Sequence, residues 1–221
     1  MAEQREKPTV LITGAARGLG ARLCRDYATA GWQVIATARR PVDAGQRALD
    51  VGDETSIAAL ARELAGQPID LLINNAAILG DTGGLASLRT ADFLDVMRVN
   101  TLGPLLVFRA FLPNLLAGRR RLVANISSRV GTIAGLDDDG DYAYRCSKAA
   151  LNLATAKLAH DYGRQGLTIV AIHPGWVGTD MGGPNAPLTV AESSAGVMSV
   201  LDRVTAADGG KLFAHDGARL P

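Results

Sequence analysis

The sequence predicts an α/β fold in which helices cover both faces of a doubly wound parallel sheet. Apolar runs of strand length alternate with helical stretches along the whole chain, which is typical of parallel sheets. The runs are rich in Val, Ile and Leu with few polar interruptions, as expected for strands buried on both faces. A chain of 221 residues fits one α/β domain, so we expect residues 1–221 to form a single Rossmann-like domain.

Each element follows from a local pattern. The predicted strands are apolar runs at 9–13, 33–38, 70–74, 121–126, 167–172 and 211–213. The predicted helices lie between them at 18–30, 55–65, 90–117, 142–164 and 189–203. Gly31, Gly118 and Gly166 follow three of these helices, at the position where helices often end. Thr189 and Glu192 have the capping-box spacing that begins the last helix.

Composition and charge exclude several classes of function. A formal net charge of +1 with 20% charged residues gives no sign of nucleic-acid or anionic-membrane binding. Two cysteines cannot form a disulfide framework, and His160 and His215 have no sequence partner that suggests a metal site. Pro104 and Arg109 interrupt the most apolar helix, so we expect no membrane span. The first strand begins too early for a signal peptide, which predicts a cytoplasmic protein.

A glycine-rich turn joins the first strand to the first helix. Gly14, Gly18 and Gly20 have the spacing Gly-x-x-x-Gly-x-Gly. Glycines at such a turn let the backbone approach a pyrophosphate, whose negative charge is stabilised by the N-terminus of the helix. The turn therefore predicts a dinucleotide site, although a turn of this kind can also be purely structural.

Tyr144 and Lys148 are four residues apart in the predicted helix 142–164, so their side chains share one helix face. A free tyrosine has a pKa of about 10 and donates protons poorly at neutral pH. A cation beside the phenol favours the phenolate, so we expect Lys148 to lower the pKa of Tyr144 toward the range of a general acid. A proton donor and a dinucleotide site in one chain together predict hydride transfer.

With these two motifs the chain resembles the short-chain dehydrogenase/reductase family, and the matches run in order along almost its whole length. They are Thr-Gly-x-x-x-Gly-x-Gly at 13–20, Leu-Asp-Val at 49–51, Asn-Asn-Ala-Ala at 74–77, Val-Asn-Thr at 99–101, Asn-Ile-Ser-Ser at 125–128, Tyr-x-x-x-Lys at 144–148 and Pro-Gly-x-x-x-Thr at 174–179. Ala77 replaces the glycine that is usual in the third match. Within the family, the chain resembles the branch of sniffer-type carbonyl reductases and C-factor-like proteins.

The resemblance implies roles for individual residues. The expected catalytic set is a proton donor, a lysine that also binds the nicotinamide ribose, a serine that binds the carbonyl oxygen and an asparagine that binds a relay water: Tyr144, Lys148, Ser128 and Asn100. The expected cofactor contacts, including two arginines discussed below, are Gly14, Arg17, Gly18, Leu19, Gly20, Arg39, Asp50, Val51, Asn74, Asn75, Ala76, Tyr144, Lys148, Pro174, Gly175, Val177 and Thr179. No metal is expected.

Two segments depart from the family pattern. The insert at 136–141 lengthens the separation between serine and tyrosine, which leaves two adjacent serines as candidates. We choose Ser128 over Ser127, because Gly131 follows Ser128 at the offset usual in the family. The stretch after Thr179 is short, which predicts a more open active site than in relatives with a longer covering segment.

The second predicted strand indicates which dinucleotide binds. An NAD-specific site has an acidic residue at the end of that strand, where it binds the ribose hydroxyls. Here the strand ends without a carboxylate, and Arg39 occupies the corresponding place. A guanidinium suits a 2′-phosphate, and Arg17 in the glycine-rich turn is placed to approach the same group. The sequence therefore predicts NADP(H) rather than NAD(H), unless both arginines are merely solvated.

We therefore expect a cytoplasmic NADP-dependent carbonyl reductase or alcohol dehydrogenase, acting on an uncharged ketone or aldehyde and, in reverse, on a secondary alcohol. Two alternatives stay open: an NAD-dependent oxidation of a secondary alcohol, and a cofactor-binding signalling protein of C-factor type. The intact catalytic set argues against the second. The family usually forms dimers or tetramers through helices 90–117 and 142–164, which predicts a homodimer or homotetramer.

Further residues have more than one interpretation. The expected pocket loops supply apolar side chains: Ile133, Trp176, Met181 and Pro184. The acidic side chains of the insert could attract a cationic substrate, but a solvated loop is the favoured interpretation: Asp137, Asp138, Asp139 and Asp141. His173 could act as a second acid or base, but we interpret it as structural. Asp70, at the start of a strand, is also expected to be structural.

Overall fold

The computed structural model describes residues 7–136 and 140–221, and its strands form one eight-stranded sheet. The strands are β1 Thr9–Ile12, β2 Gln33–Ala38, β3 Arg47–Ala48, β4 Leu71–Asn74, β5 Leu122–Ile126, β6 Thr168–His173, β7 Leu212–Ala214 and β8 Arg219–Leu220. Their order is β3-β2-β1-β4-β5-β6-β7-β8, and the neighbouring pairs are parallel except for the antiparallel pair β7–β8. The predicted doubly wound sheet is confirmed.

Helices cover both faces of this sheet. They are α1 Gly18–Thr29, α2 Glu54–Glu63, α3 Thr90–Met97, α4 Gly103–Ala117, α5 Tyr142–Tyr162 and α6 Val190–Arg203. Side chains of a strand alternate between the faces, and in β1 Val10 and Ile12 pack with α1 and α6, whereas Leu11 packs with α2 and α4. Two apolar cores therefore lie on opposite sides of one buried sheet.

The helical stretch 90–117 is long and apolar enough to span a membrane by length and composition alone, and over half of its most apolar window is buried inside the fold. Phe108, Phe111 and Leu115 lie in the core between α4 and the sheet. Packing against the sheet thus accounts for the apolar composition. A π-helical segment, Arg98–Leu102, separates α3 from α4 within this stretch.

The sequence prediction missed β3 and β8, because a two-residue strand is too short to show a period. The structure also shows that β2 and β3 pair in parallel although only residues 39–46 connect them, without a helix in this described segment. Parallel neighbours usually need a helical crossover. Pairing of two residues per strand, at Thr37–Arg47 and Ala38–Ala48, is short enough for a loop to make the connection.

Asp70 is confirmed as a structural residue at the corner between β1, α4 and β5. Its buried carboxylate accepts hydrogen bonds from the backbone N–H groups of Thr9 at 2.8 Å, Arg119 at 2.8 Å and Arg120 at 3.3 Å. A carboxylate can accept several bonds at once, and buried N–H groups need such partners. Asp70 therefore fixes the amino-terminal edge of the sheet.

Replacing Asp70 by Ala is expected to lower the free energy of unfolding by about 3 kcal/mol, because buried N–H groups lose a charged acceptor. Urea denaturation of Asp70→Ala at pH 7 measures this loss. Asp95→Ala is the control, since it removes only an exposed ion pair with Arg98 and should change the value by less than about 0.5 kcal/mol. Similar losses in both variants would contradict the structural role of Asp70.

Candidate active site

The candidate site lies at the carboxyl edge of the sheet, where the glycine-rich turn, the 74–78 segment and the loop after β6 meet. A Cβ atom on Gly14 would lie 2.8 Å from Cα of Ala76, and one on Gly20 would clash with the carbonyl oxygen of Gly14. These two positions therefore require glycine. Arg17 provides no side-chain cap for α1, and the first turn of α1 has no acidic residue. The turn thus keeps a helix N-terminus that suits an anionic group.

The 74–78 segment fixes the glycine-rich turn through polar contacts. The Thr13 hydroxyl accepts from the backbone N–H groups of Asn75 and Ala76, both at 3.0 Å. The Asn75 amide donates to the carbonyl oxygens of Thr13 at 2.9 Å and Gly14 at 3.1 Å. Asn75 and Ala76 therefore hold the turn, and their expected contact with the cofactor stays a prediction.

Asn74 lies deeper than its neighbour. Its buried amide donates to Oδ1 of Asn125 at 2.9 Å, and the Asn125 amide donates to the Thr155 hydroxyl, also at 2.9 Å. The side chain of Asn74 thus links β4, β5 and α5 inside the fold. Its expected contact with the cofactor stays a prediction.

Asp50 and Val51 follow β3, at the end of the sheet where an adenine is expected. The Asp50 carboxylate accepts from the backbone N–H of Gly52 at 2.9 Å, and the Asp50 N–H donates to the Ser56 hydroxyl at 2.9 Å. Val51 is buried against Gly103, at the start of α4. Both residues therefore shape a tight turn at this edge, and the adenine contact itself stays a prediction.

Tyr144 and Lys148 lie on one face of α5, as predicted. Lys148 Nζ lies 5.4 Å from the centroid of the Tyr144 ring and donates to the carbonyl oxygen of Ile126 at 2.8 Å. Lys148 is only 2% exposed, and burial lowers its pKa from the ordinary 10.5 to about 8. At neutral pH most of the lysine side chains still carry their charge.

The expected lowering of the Tyr144 pKa is wrong for the chain by itself. Burial, followed by the negative charge of Asp141, raises the pKa of Tyr144 to about 12. The lysine ammonium lies over the ring face and bonds to Ile126, so desolvation of the phenolate outweighs it. The Tyr144 hydroxyl therefore keeps its proton at neutral pH, which is the form a proton donor needs.

The two adjacent serines have different partners. The Ser127 hydroxyl is buried and donates to Oδ1 of Asn152 at 2.5 Å, on the side facing α5. The Ser128 hydroxyl accepts only a long bond of 3.3 Å from the backbone N–H of Val130, among the described residues. Ser128 is therefore freer to bind a ligand oxygen, which agrees with the sequence-based choice.

Asn100 lies in the π-helical segment, where the Gly103 N–H bonds to the carbonyl oxygen of Arg98 five residues earlier. π-Helical turns are frequent at functional sites. The Asn100 amide donates to the Ile78 carbonyl oxygen at 2.8 Å and to the Ser147 hydroxyl at 3.1 Å. Both amide hydrogens are thus occupied in holding the 74–78 segment to α5, and the expected relay water stays a prediction.

The loop after β6 approaches the glycine-rich turn. Pro174 accepts from the Ser193 hydroxyl at 2.7 Å, and Gly175 packs against Leu188 and His215. Val177 is buried and forms a bridge with Leu188.

Thr179 is the part of this loop that reaches the turn. A Cβ atom on Gly18 would lie 3.3 Å from Cγ2 of Thr179. The next residue, Asp180, forms a 3.0 Å ion pair with Arg17. The structure therefore brings the last matched segment, 174–179, against the first, 13–20.

The two predicted arginines differ. Arg17 has Asp180 as its ion-pair partner, a contact that the sequence analysis missed because 163 positions separate the two residues and no local pattern joins them. Arg39 is exposed just after β2 and has no partner among the described residues. The Ala15 N–H donates to the Thr37 carbonyl oxygen at 2.8 Å and so joins the turn to β2. Arg17 lies two residues after Ala15, and Arg39 lies two residues after Thr37, so both arginines are near this contact.

Leu19 is buried in α1, directly after the turn. The predicted pocket residues Ile133, Trp176, Met181 and Pro184 are exposed, so the loops that carry them offer apolar surface.

Asp137, Asp138 and Asp139 lie outside the described residues. Asp141 precedes α5 in the left-handed backbone region, with φ of 53°.

His173 and His215 each bury an Nδ1 atom without a hydrogen-bond partner among the described residues. Burial, followed by the positive charge of Arg129, lowers the pKa of His173 to about 4. The imidazole is therefore neutral at pH 7, which suits a structural histidine. The described part of the chain contains no group of three or more His, Cys, Asp or Glu that could hold a metal ion.

Comparisons with known proteins agree with this arrangement. A family model described as short chain dehydrogenase matches residues 8–187. The C-signal protein of Myxococcus xanthus is 42% identical over 163 residues, which cover 74% of this chain and 98% of that protein. The NADPH-bound carbonyl reductase from chicken fatty liver has a TM-score of 0.90 and 33% identity, covering 97% of this chain and 98% of its own. The carbonyl reductase Sniffer of D. melanogaster has a TM-score of 0.89 and 29% identity, with coverages of 97% and 99%.

Replacing Lys148 by Met is expected to stabilise the chain without cofactor by about 2 kcal/mol at pH 7, because a buried charge is removed and only one hydrogen bond is lost. Below pH 8 the wild type bears the full free-energy cost of burying the charged lysine. This cost disappears as the pH rises from about 8, where the folded lysine loses its proton, toward 10.5, where the unfolded lysine also loses it. Urea denaturation of both proteins at pH 7 and 9.5 measures the difference.

The matched control is Lys157→Met, which changes an exposed lysine on the same helix. It should leave stability almost unchanged at both pH values. A Lys148→Met variant that is less stable than wild type at pH 7 would show that the Ile126 hydrogen bond outweighs the burial of charge.

Proposed function

Because the chain belongs to the short-chain dehydrogenase family, we propose that it is an NADP(H)-dependent carbonyl reductase that converts an uncharged ketone or aldehyde into an alcohol. The observation that carries this proposal is the position of Tyr144 and Lys148 on α5, beside the edge of the sheet that carries the glycine-rich turn. The similarity to two carbonyl reductase structures over 97% of this chain supports it.

The residues of the cleft suit a dinucleotide. Gly14 and Gly20 keep the turn tight, because a Cβ atom at either position would clash with neighbouring backbone. The uncapped N-terminus of α1 favours a pyrophosphate. A reduced nicotinamide held in the cleft would supply the hydride that the carbonyl carbon receives. Arg39 would bind the 2′-phosphate through charge-assisted hydrogen bonds, with Arg17 at the same corner.

The chain's own groups handle the carbonyl oxygen and its proton. The Tyr144 hydroxyl donates a proton to that oxygen as negative charge develops, and Ser128 stabilises it with a hydrogen bond. The charge of Lys148 favours the tyrosinate that remains, so the lysine assists the transfer. In this proposal the Lys148 ammonium returns a proton to Tyr144 after the reaction.

In the chain without cofactor, the raised pKa of Tyr144 leaves its hydroxyl in the protonated form from which reduction begins. Reduction begins with a protonated tyrosine, whereas oxidation requires a tyrosinate as base. With a pKa of about 12 the hydroxyl is almost entirely protonated at pH 7. NAD-dependent oxidation therefore stays the second choice among enzymatic functions.

The substrate we propose is uncharged and partly apolar. Ile133, Trp176 and Met181 are exposed on the loops beside the expected pocket, and apolar walls with a few polar groups suit alkyl or aryl ketones. A panel of ketones, aldehydes and ketoesters with NADPH and NADH tests this class. A preference for phosphorylated or acyl-carrier substrates would contradict it.

A signalling function is the alternative of another class, and the 42% identity to the C-signal protein is the observation that favours it. The same panel separates the two: tight cofactor binding without turnover of any carbonyl would favour signalling.

We further propose that the whole chain is one cytoplasmic domain, assembled as a homodimer or homotetramer through α3–α4 and α5. Light scattering measures the assembly.

Tyr144→Phe removes only the hydroxyl, so the fold and NADPH affinity should survive while kcat falls by about 10²–10⁴-fold. NADPH consumption at 340 nm and a binding titration measure the two effects. Tyr142→Phe is the control, because it changes an exposed tyrosine on the same helix and should keep the wild-type rate.

Ser128→Ala should reduce kcat strongly and Ser127→Ala much less; the reverse order would assign the role to Ser127.

Arg39→Asp should lower kcat/KM with NADPH and raise it with NADH, because the change removes a phosphate partner and adds an acceptor for ribose hydroxyls. Arg40→Asp is the control, since Arg40 is the exposed neighbour and also has no partner among the described residues. Steady-state kinetics with both cofactors measure the effect. A wild type that uses NADH as well as NADPH would contradict the proposed preference.

A further inference from the structure

The Arg17–Asp180 ion pair lies where two walls of the cofactor cleft meet. Arg17 directly precedes α1, and Asp180 follows Thr179, which contacts Gly18. The Ala15–Thr37 hydrogen bond brings the same turn against the end of β2, close to Arg39. Arg17 therefore lies between a carboxylate on one side and the proposed 2′-phosphate site on the other.

The ion pair contributes little to the stability of the fold. The Arg17 and Asp180 side chains are 81% and 73% exposed, and such pairs contribute about 0–1 kcal/mol. A guanidinium in this position can change partners easily. A phosphate offers more charge than a carboxylate, together with paired acceptors for the guanidinium fork.

The loop that carries Asp180 does not need Arg17 to keep its shape. Gly178 N–H donates to the Leu188 carbonyl oxygen at 2.9 Å, and Leu188 N–H donates to that of Trp176 at 3.2 Å. The Trp176 indole donates to the carbonyl oxygen of Gly182 at 2.6 Å, and Gly182 N–H donates to the Thr179 hydroxyl at 3.2 Å. These bonds fix the loop from within, so the ion pair is free to break.

We propose that Asp180 competes with the 2′-phosphate of NADP(H) for Arg17 and thereby limits the preference for NADP(H) over NAD(H). The inference rests on the proposed NADP(H) site. When NADP(H) binds, Arg17 turns from Asp180 to the phosphate, whereas NAD(H) leaves the Arg17–Asp180 pair intact. Asp180 is thus a selectivity residue that acts through Arg17.

A double-mutant cycle on cofactor affinity tests the competition. Asp180→Asn should lower the Kd for NADPH about two- to five-fold, the factor that corresponds to an exposed ion pair. The Kd for NADH should change much less. Arg17→Ala should weaken NADPH binding, and Asp180→Asn should have no further effect in that background. Fluorescence titration of each protein, without substrate, gives all the constants.

Asp202→Asn is the matched control, because Asp202 forms a long-range pair with Arg120, whose backbone N–H bonds to Asp70 at the amino-terminal edge of the sheet, opposite the cleft. It should leave both Kd values unchanged. If Asp180→Asn weakens the binding of both NADPH and NADH, the Arg17–Asp180 pair holds the loop over the cofactor, and the proposed competition is wrong. An NADPH gain that persists in the Arg17→Ala background would also overturn the proposal, since general repulsion by Asp180 would then explain it.

The outcomes separate this inference from the proposed function. A wild type that binds NADPH but reduces no carbonyl overturns the reductase function, while the cycle still decides the competition. A wild type that binds neither dinucleotide overturns both. Equal NADPH affinities of wild type and Asp180→Asn overturn the competition alone.

Discussion

The docking of α5 on the carboxyl end of β5 is the interaction on which the candidate site depends. Three successive residues of the chain contact one face of the helix: Asn125 bonds to Thr155, the Ile126 carbonyl oxygen to Lys148, and Ser127 to Asn152. Each contact is polar in a buried place, where an unpaired group is unfavourable. The helix therefore cannot slide or rotate without losing several of them, and this fixes Tyr144 relative to the sheet.

The same docking explains the unusual protonation of the site. Among the described residues, the Lys148 ammonium donates to one acceptor, the backbone carbonyl oxygen of Ile126, so its charge is poorly compensated and its pKa falls. The Tyr144 hydroxyl beside it is desolvated, so its pKa rises. At neutral pH the lowered pKa of Lys148 means that burying the ammonium destabilises the folded chain, whereas the raised pKa of Tyr144 has no such cost, because its hydroxyl is protonated in the folded and the unfolded chain. Functional sites often carry such a loss of stability. A bound cofactor would add polar partners to this face.

The parts of the cleft differ in how firmly they are held. The glycine-rich turn is fixed by Thr13 and Asn75 through several hydrogen bonds. In contrast, Arg17 and Arg39 are exposed, and the loops with Ile133 and Trp176 offer apolar surface to solvent. The fold as a whole is shared with carbonyl reductases, and a shared fold does not by itself fix the substrate. Similarity to both a carbonyl reductase and a C-signal protein is consistent with this division.

The sequence by itself determined the fold class and the main strands and helices to within a residue or two, except that a π-helical segment at Arg98–Leu102 interrupts the helix predicted at 90–117. It also named the segments that the fold brings together at the candidate cleft. These features follow from local periodicity, glycine spacing and ordered motifs. Tertiary structure alone decided the short strands β3 and β8, the burial of Asn74, the direction of the Tyr144 pKa and the partner of Arg17. Desolvation and contacts between distant residues arise only when the chain is folded, so no local pattern encodes them.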